Sequence, residues 1–182
     1  MATKNKRGRK RMLNVPREPN GRPSRSGIDH KPADVVAIEA RMKHWGITKE
    51  RARDQKAGSY IGYLSILGKR DGLSADQYDA AVQYRALYES HQRALKAPGA
   101  QYDRQIAIPS GDEPSEWYIG WCRETVERFR ACRDAIQEAQ NSNRHGNLWA
   151  ALDYCIIRDE RHGHMVGDLR IACNALARFF RV

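Results

Sequence analysis

The chain changes character at residue 32, and that break confines any folded core to the residues beyond it. Before it stand ten basic residues: Lys4, Lys6, Arg7, Arg9, Lys10, Arg11, Arg17, Arg22, Arg25 and Lys31. Only Glu18 and Asp29 oppose them, and the stretch also holds three glycines, four prolines and few apolar side chains. Such a segment cannot bury enough surface to offset the entropy of ordering it. Residues 1–32 are therefore expected to be a disordered basic arm. The arm carries +8 of the chain's formal +10, and residues 33–182, with 22 basic and 20 acidic residues, are nearly neutral. Charge placed in this way points to a polyanion. Double-stranded DNA is the expected partner, and RNA is a second option because arginine-rich segments also fold on it.

The remaining length of about 150 residues is sufficient for a sizeable core. Its composition, part of a chain that is 41% hydrophobic and 30% charged, suits a small helical domain with much solvated surface. No apolar run approaches the roughly 20 residues of a membrane span. No apolar segment of the secretory type follows the basic start. The expected location is cytoplasmic, with no membrane partner. Cys122, Cys132, Cys155 and Cys173 lack the close pairing of zinc sites and fall on or near apolar helix faces. They are read as buried small hydrophobes rather than ligands or disulfides.

The periodicity after residue 32 is helical throughout, with no convincing alternation of period two and no internal repeat. A helix is predicted after Pro32–Ala33, with Asp34 available as N-cap and Gly46 as its left-handed end. Its face is Val35, Ile38, Met42 and Trp45. A second short helix, KERARDQ, begins after Thr48, and a third covers AGSYIGYLSILGKR. Ser74 and Gln77 form a capping box that opens a helix to Lys96, with Tyr78, Ala81, Val82, Tyr88, His91 and Leu95 as its stripe. A loop rich in Pro and Gly over 97–114 offers a place to subdivide the domain. A long helix over 115–140 presents Tyr118, Cys122, Thr125, Val126, Phe129, Cys132 and Ile136 inward. Two more, Leu148–Ile157 and Val166–Phe180, complete an all-α fold of six or seven helices over 33–182.

Three features could carry chemistry. Gly21-Arg22-Pro23 is the core tripeptide of an AT-hook, in which an extended backbone places Arg in a narrow minor groove. Pro19 and Asn20 stand where a full hook carries a second Arg, so a diffuse phosphate-binding arm is the stronger expectation. ARMKHWGITKERARDQ has the turn glycine of a helix-turn-helix, with Lys49, Arg51 and Arg53 on its second helix. Arg41 and Gln55 fall where that motif buries apolar residues, and a plain helical hairpin is the alternative. Asp153, Cys155, Asp159, Glu160, His162 and His164 lie within twelve residues. They read as a solvated helix end and polar turn, because the geometry of a metal site or of a nucleophile with its base is not supplied. No phosphate-binding glycine loop of Walker type occurs, since Gly58, Gly62 and Gly68 lack its terminal Gly-Lys-Ser/Thr. No cofactor, metal or enzymatic activity is expected. Trp117 and Trp121, one turn apart beside Tyr118, cannot all face one core stripe. One indole is expected on an exposed partner surface, unless the preceding loop covers it.

The stretches RARDQKAGSYIGYLSILGKRDGLSADQYDAAVQYRALY, ALDYCIIRDE and LRIACNALARFF together resemble a group of small uncharacterised helical proteins of proteobacterial chromosomes and their phages. The opening, with Gly-Arg-Pro-Ser ahead of a helical pair, is similar to small terminase subunits and phage regulators. The resemblance implies a phage or prophage setting, and for a small terminase a ring-forming homo-oligomer that recognises DNA. The expected function is non-enzymatic DNA binding, either small-terminase-like or in transcription regulation. The alternative is a protein-interaction module that docks through the Trp117/Trp121 helix and uses the arm as a tether.

Overall fold

A computed structural model of the chain describes residues 15–18, 20–24, 31–95 and 116–182. Among them the fold is all-α, with seven α-helices, two short 3-10 turns and one π turn. The only bridge of β type among the described residues joins Arg17 and Pro23. The chain divides into two compact units, Met1–Arg53 and Asp54–Val182. The division falls at 53/54 and not in the 97–114 loop, which lies outside the described residues. The helices on either side of that loop belong to one unit because they pack on each other, with the Tyr88 ring edge-on to Phe129 at 6.1 Å.

In the N-terminal unit α1 spans Ala33–Trp45 and α2 spans Lys49–Ala52. The start of α1 corrects one expectation: Pro32, not Asp34, is the N-cap, and Asp34 lies in the first turn. There its carboxylate still faces the positive end of the helix. Gly46 ends α1 in the left-handed region (φ 67°), as expected. Of the predicted face only Trp45 is buried; Val35, Ile38 and Met42 are half-buried.

The C-terminal unit holds α3 (Tyr60–Asp71), α4 (Ala75–Ala94), α5 (Glu116–Ser142), α6 (Leu148–Leu152) and α7 (Val166–Phe180). The central element is α7, which contacts α4, α5 and α6 and buries Leu169, Ala172, Cys173, Ala175 and Leu176. Against it α5 supplies Thr125, Phe129, Cys132, Ile136 and Ala139, at steps of four, three, four and three. That is one helical face. On α4 the buried set is Ala80, Ala81, Tyr84 and Leu87, while Val82 and Leu95, placed in the predicted stripe, are 42% and 55% exposed. Small residues at 80 and 81 bring helix backbones together, so the core face is turned away from the bulkier Val82.

Side chains close the helix ends of this unit. Ser74 and Gln77 make the predicted capping box at the start of α4. The Ser59 hydroxyl accepts from Gly62 N at 3.2 Å to open α3. A Cβ at Gly62 would overlap the Lys56 carbonyl, so the 3-10 turn Gln55–Gly58 packs on α3 only because that residue is glycine. At the other end of α3, Arg170 of α7 donates to Gly72 O at 2.7 Å and Arg70 O at 2.9 Å. The predicted helix Leu148–Ile157 is present in two parts, α6 and a π turn over Asp153–Ile157.

Candidate nucleic-acid interface

Lys4, Lys6, Arg7, Arg9, Lys10, Arg11 and Arg25 lie outside the described residues. Arg17 and Arg22 are described, and they belong to a small hairpin. Ser24 N donates to Pro16 O at 2.7 Å, and Glu18 N to Arg22 O at 2.8 Å. Gly21 forms the turn at φ 81°, donating to Glu18 O at 2.8 Å. The Asn20 side chain accepts from Arg22 N at 3.1 Å, a local bond of the kind that makes Asn a turn residue. Gly-Arg-Pro is therefore turned here, where a minor-groove hook requires it extended. The two arginines differ in use: Arg17 donates to Gly21 O at 2.7 Å and braces the turn, whereas Arg22 is exposed. Lys31, the last basic residue of the arm, pairs with Glu39 of α1 at 2.7 Å.

The predicted pair of helices around Gly46 exists, but its second member is one turn and not the seven residues KERARDQ. Asp54 adopts extended backbone (φ −64°, ψ 128°) and its carboxylate accepts from Lys56 N at 2.9 Å, which starts a separate 3-10 turn. A single turn is short for a helix that reads a major groove. Arg41, out of place for a helix-turn-helix, donates to Ala52 O at 3.2 Å and so caps the end of α2. Lys49, Arg51 and Arg53 are all exposed. Glu50 lies among them; its own backbone N–H first, then the Thr48 hydroxyl, hold its carboxyl below the usual range. This turn presents three exposed cations and one acid.

On α5 Trp117 is 76% exposed and Ile119 46%. Trp121 is half-buried, stacks on Tyr118 at a centroid distance of 5.8 Å, and lines an open groove of about 350 Å³ with Leu87, Thr125, Arg128 and Phe180. The two indoles thus do different things: one reaches solvent and the other walls a groove between α4, α5 and α7.

The segment 153–164 is more ordered than a polar turn. Asp159 sits in the left-handed region (φ 58°), and its carboxylate accepts from Tyr60 N at 2.7 Å, capping α3 from 99 residues away. Arg158 pairs with Asp153 at 2.8 Å and lies over the Tyr154 ring at 4.7 Å. His162 contacts Glu160 at 3.0 Å and the Tyr154 ring at 4.9 Å. Arg161 lies over the ring of Tyr63, from α3, at 5.8 Å. These contacts set rings and cations along one short segment, 153–162, with Tyr63 of α3 joined to it through Arg161. Each local piece is visible as residue type, but nothing in the sequence joins Tyr63 to Arg161. Cys155 is buried in this region, and its thiol is pushed up to about 11 by that burial. Burial likewise pushes Cys132 and Cys173 up to about 12, which keeps all three protonated and unreactive at neutral pH. Among the described residues no group of three His, Cys, Asp or Glu side chains could hold a metal ion, and no helix is long and apolar enough to cross a membrane.

No family model matches the chain, and no curated protein or solved structure matches it.

Proposed function

We propose that this chain is a non-enzymatic, phage-type nucleic-acid-binding protein whose basic arm contacts the phosphates of double-stranded DNA. One observation carries the reading: +8 of a formal +10 lies in the first 32 residues. The exposure of Arg22 supports it, as does the exposed turn bearing Lys49, Arg51 and Arg53, which adds cations to the same N-terminal unit. Within this class the chain serves either small-terminase-like DNA recognition or transcription regulation. A ring-shaped homo-oligomer favours the first and a monomer or dimer the second, so sedimentation of the full chain separates them.

The test is duplex binding across a salt series, comparing the full chain with a chain lacking residues 1–31. Each neutralised phosphate steepens log K against log salt by about 0.9. An arm that makes six or more contacts should lose ~10³-fold in affinity between about 50 and 200 mM salt. Removing it should abolish most of that slope while circular dichroism stays helical. An unchanged slope would sink the arm reading.

Exposure of Trp117 and Ile119 favours a second reading, in which the start of α5 docks a protein partner and the arm is a tether. That reading expects Trp117→Ala to leave DNA binding untouched and to abolish recovery of the partner.

A further inference from the structure

The arm accounts for the net charge but leaves the strip of rings and cations in the C-terminal unit without a role. Two of its members are far apart in the sequence: Tyr63 from α3 and Arg161 from the loop beyond the π turn. Three acids in the strip are already engaged. Asp153 holds Arg158 at 2.8 Å, Glu160 meets His162 at 3.0 Å, and Asp159 accepts from Tyr60 N at 2.7 Å. Arg161 is exposed, and a ring rather than a carboxylate lies beneath it. A planar cation supported on an aromatic face is a stacking surface for a nucleobase, and its N–H groups remain available to a phosphate. Tyr154 repeats the arrangement beneath Arg158, with the His162 ring beside it.

We infer that this strip is a stacking site for a single-stranded segment of nucleic acid. Bases lie against Arg161 on Tyr63 and against Arg158 on Tyr154, while Arg161, which no carboxylate holds, takes a phosphate. The inference rests on the reading of the chain as nucleic-acid-binding, and it names a second surface, in the C-terminal unit. A duplex does not suit the strip, because paired bases hide their faces inside the helix, whereas every unpaired base offers one. The platform is fixed before any ligand arrives. Asp159 ties the loop to the start of α3, and Arg158, just after the π turn, is held over the Tyr154 ring and by Asp153. Little order then has to be created on binding.

Two measurements on the full chain test this. In the first, fluorescence anisotropy tracks labelled oligothymidylate and a labelled duplex of equal length, for the unmodified chain and for Tyr63→Leu combined with Arg161→Ala. Single-strand affinity is expected to fall at least about tenfold, the loss of one stacked base, with duplex affinity changed less than about twofold. The single-strand salt slope is expected to become shallower by about 0.7, one phosphate. In the second, bromodeoxyuridine in the single strand is photo-crosslinked to the unmodified chain and the modified tyrosine is identified by mass spectrometry. Attachment at Tyr63 or Tyr154 is expected, and this readout stands even if the double variant fails to fold. Unchanged single-strand affinity in a folded variant overturns the inference, as do crosslinks confined to the arm. Binding of duplex alone overturns the inference and leaves the DNA reading intact, whereas binding of neither overturns both.

Discussion

The first and last helices are of similar length, 13 and 15 residues, and both carry apolar residues at helical spacing. Yet α1 buries one side chain, Trp45, and α7 buries five. Period alone states which face of a helix is apolar; it does not state what meets that face. Around α7 stand α4, α5 and α6, whereas the partner that α1 meets in its own unit is the single turn of α2. The helix ends show the same contrast. In the C-terminal unit α3, α4 and α6 begin with the side-chain caps Ser59, Ser74 and Asn147, and α1 and α2 begin with none. One unit is densely packed and nearly neutral, and the other is thinly packed and carries the charge. Such a division suits a scaffold joined to a polyanion-binding extension, since phosphate contacts need cations and reach more than they need a core.

The largest effect that separates the two units is cavity formation. Leu169 is fully buried on α7, and Leu169→Ala should cost about 2–5 kcal/mol. Ile38 on α1 is half-buried, and Ile38→Ala should cost about 1 kcal/mol. Urea unfolding monitored by circular dichroism measures both. Equal losses would break the comparison, because they would show the face of α1 to be packed as tightly as that of α7.

A smaller effect probes the long-range cap. Asp159→Ala removes the acceptor for Tyr60 N and places a methyl-bearing residue at φ 58°, so a loss of about 1–2 kcal/mol is expected. Asp159→Asn keeps an acceptor oxygen and a residue tolerant of that backbone, and should stay within about 0.5 kcal/mol. If both substitutions cost the same, the charge rather than the cap is what matters at this position.

This cap marks the limit of what is legible in the sequence. The Ser74–Gln77 box, the left-handed Gly46 and the Thr125, Phe129, Cys132 and Ile136 face of α5 depend on residues within a few turns of one another and are readable from spacing. Tyr118, Cys122 and Val126, expected on that face, are only half-buried. The link from Asp159 to Tyr60 and that from Arg170 to Gly72 span about a hundred residues, and no local pattern announces them. Asp54 ends α2 early because its side chain finds a better use in starting the next turn, a competition that periodicity does not weigh. The stripe expected on α4 holds at Ala81 but errs at Val82 and Leu95, because the buried face is turned onto Ala80, Tyr84 and Leu87. For the candidate site, charge placement is plain from the sequence, and Trp117 reaches solvent as one indole of that helix is expected to. The turned Gly21-Arg22-Pro23 and the Tyr63–Arg161 pairing arise only in the folded chain.

The smallest expected effect lies where the arm meets α1. Lys31 and Glu39 are 2.7 Å apart with side chains 59% and 51% exposed, a solvated ion pair. Such pairs contribute about 0–1 kcal/mol, so Glu39→Gln should shift stability by less than about 0.5 kcal/mol. Its consequence for binding is more telling. With Glu39 neutralised, Lys31 no longer has a carboxylate to hold and joins the other arm cations. The duplex salt slope should then steepen by at most about 0.9, the share of one phosphate. No change in slope would mean that Lys31 points away from the DNA whatever its partner, placing the inner limit of the arm's contact zone before residue 31. A change in stability well above about 0.5 kcal/mol would instead make the pair an anchor that fixes the arm to α1. In that case the thinly packed unit would owe its order to charge as well as to Trp45, and the contrast with the C-terminal unit would rest on the kind of interaction as much as on the amount of buried surface.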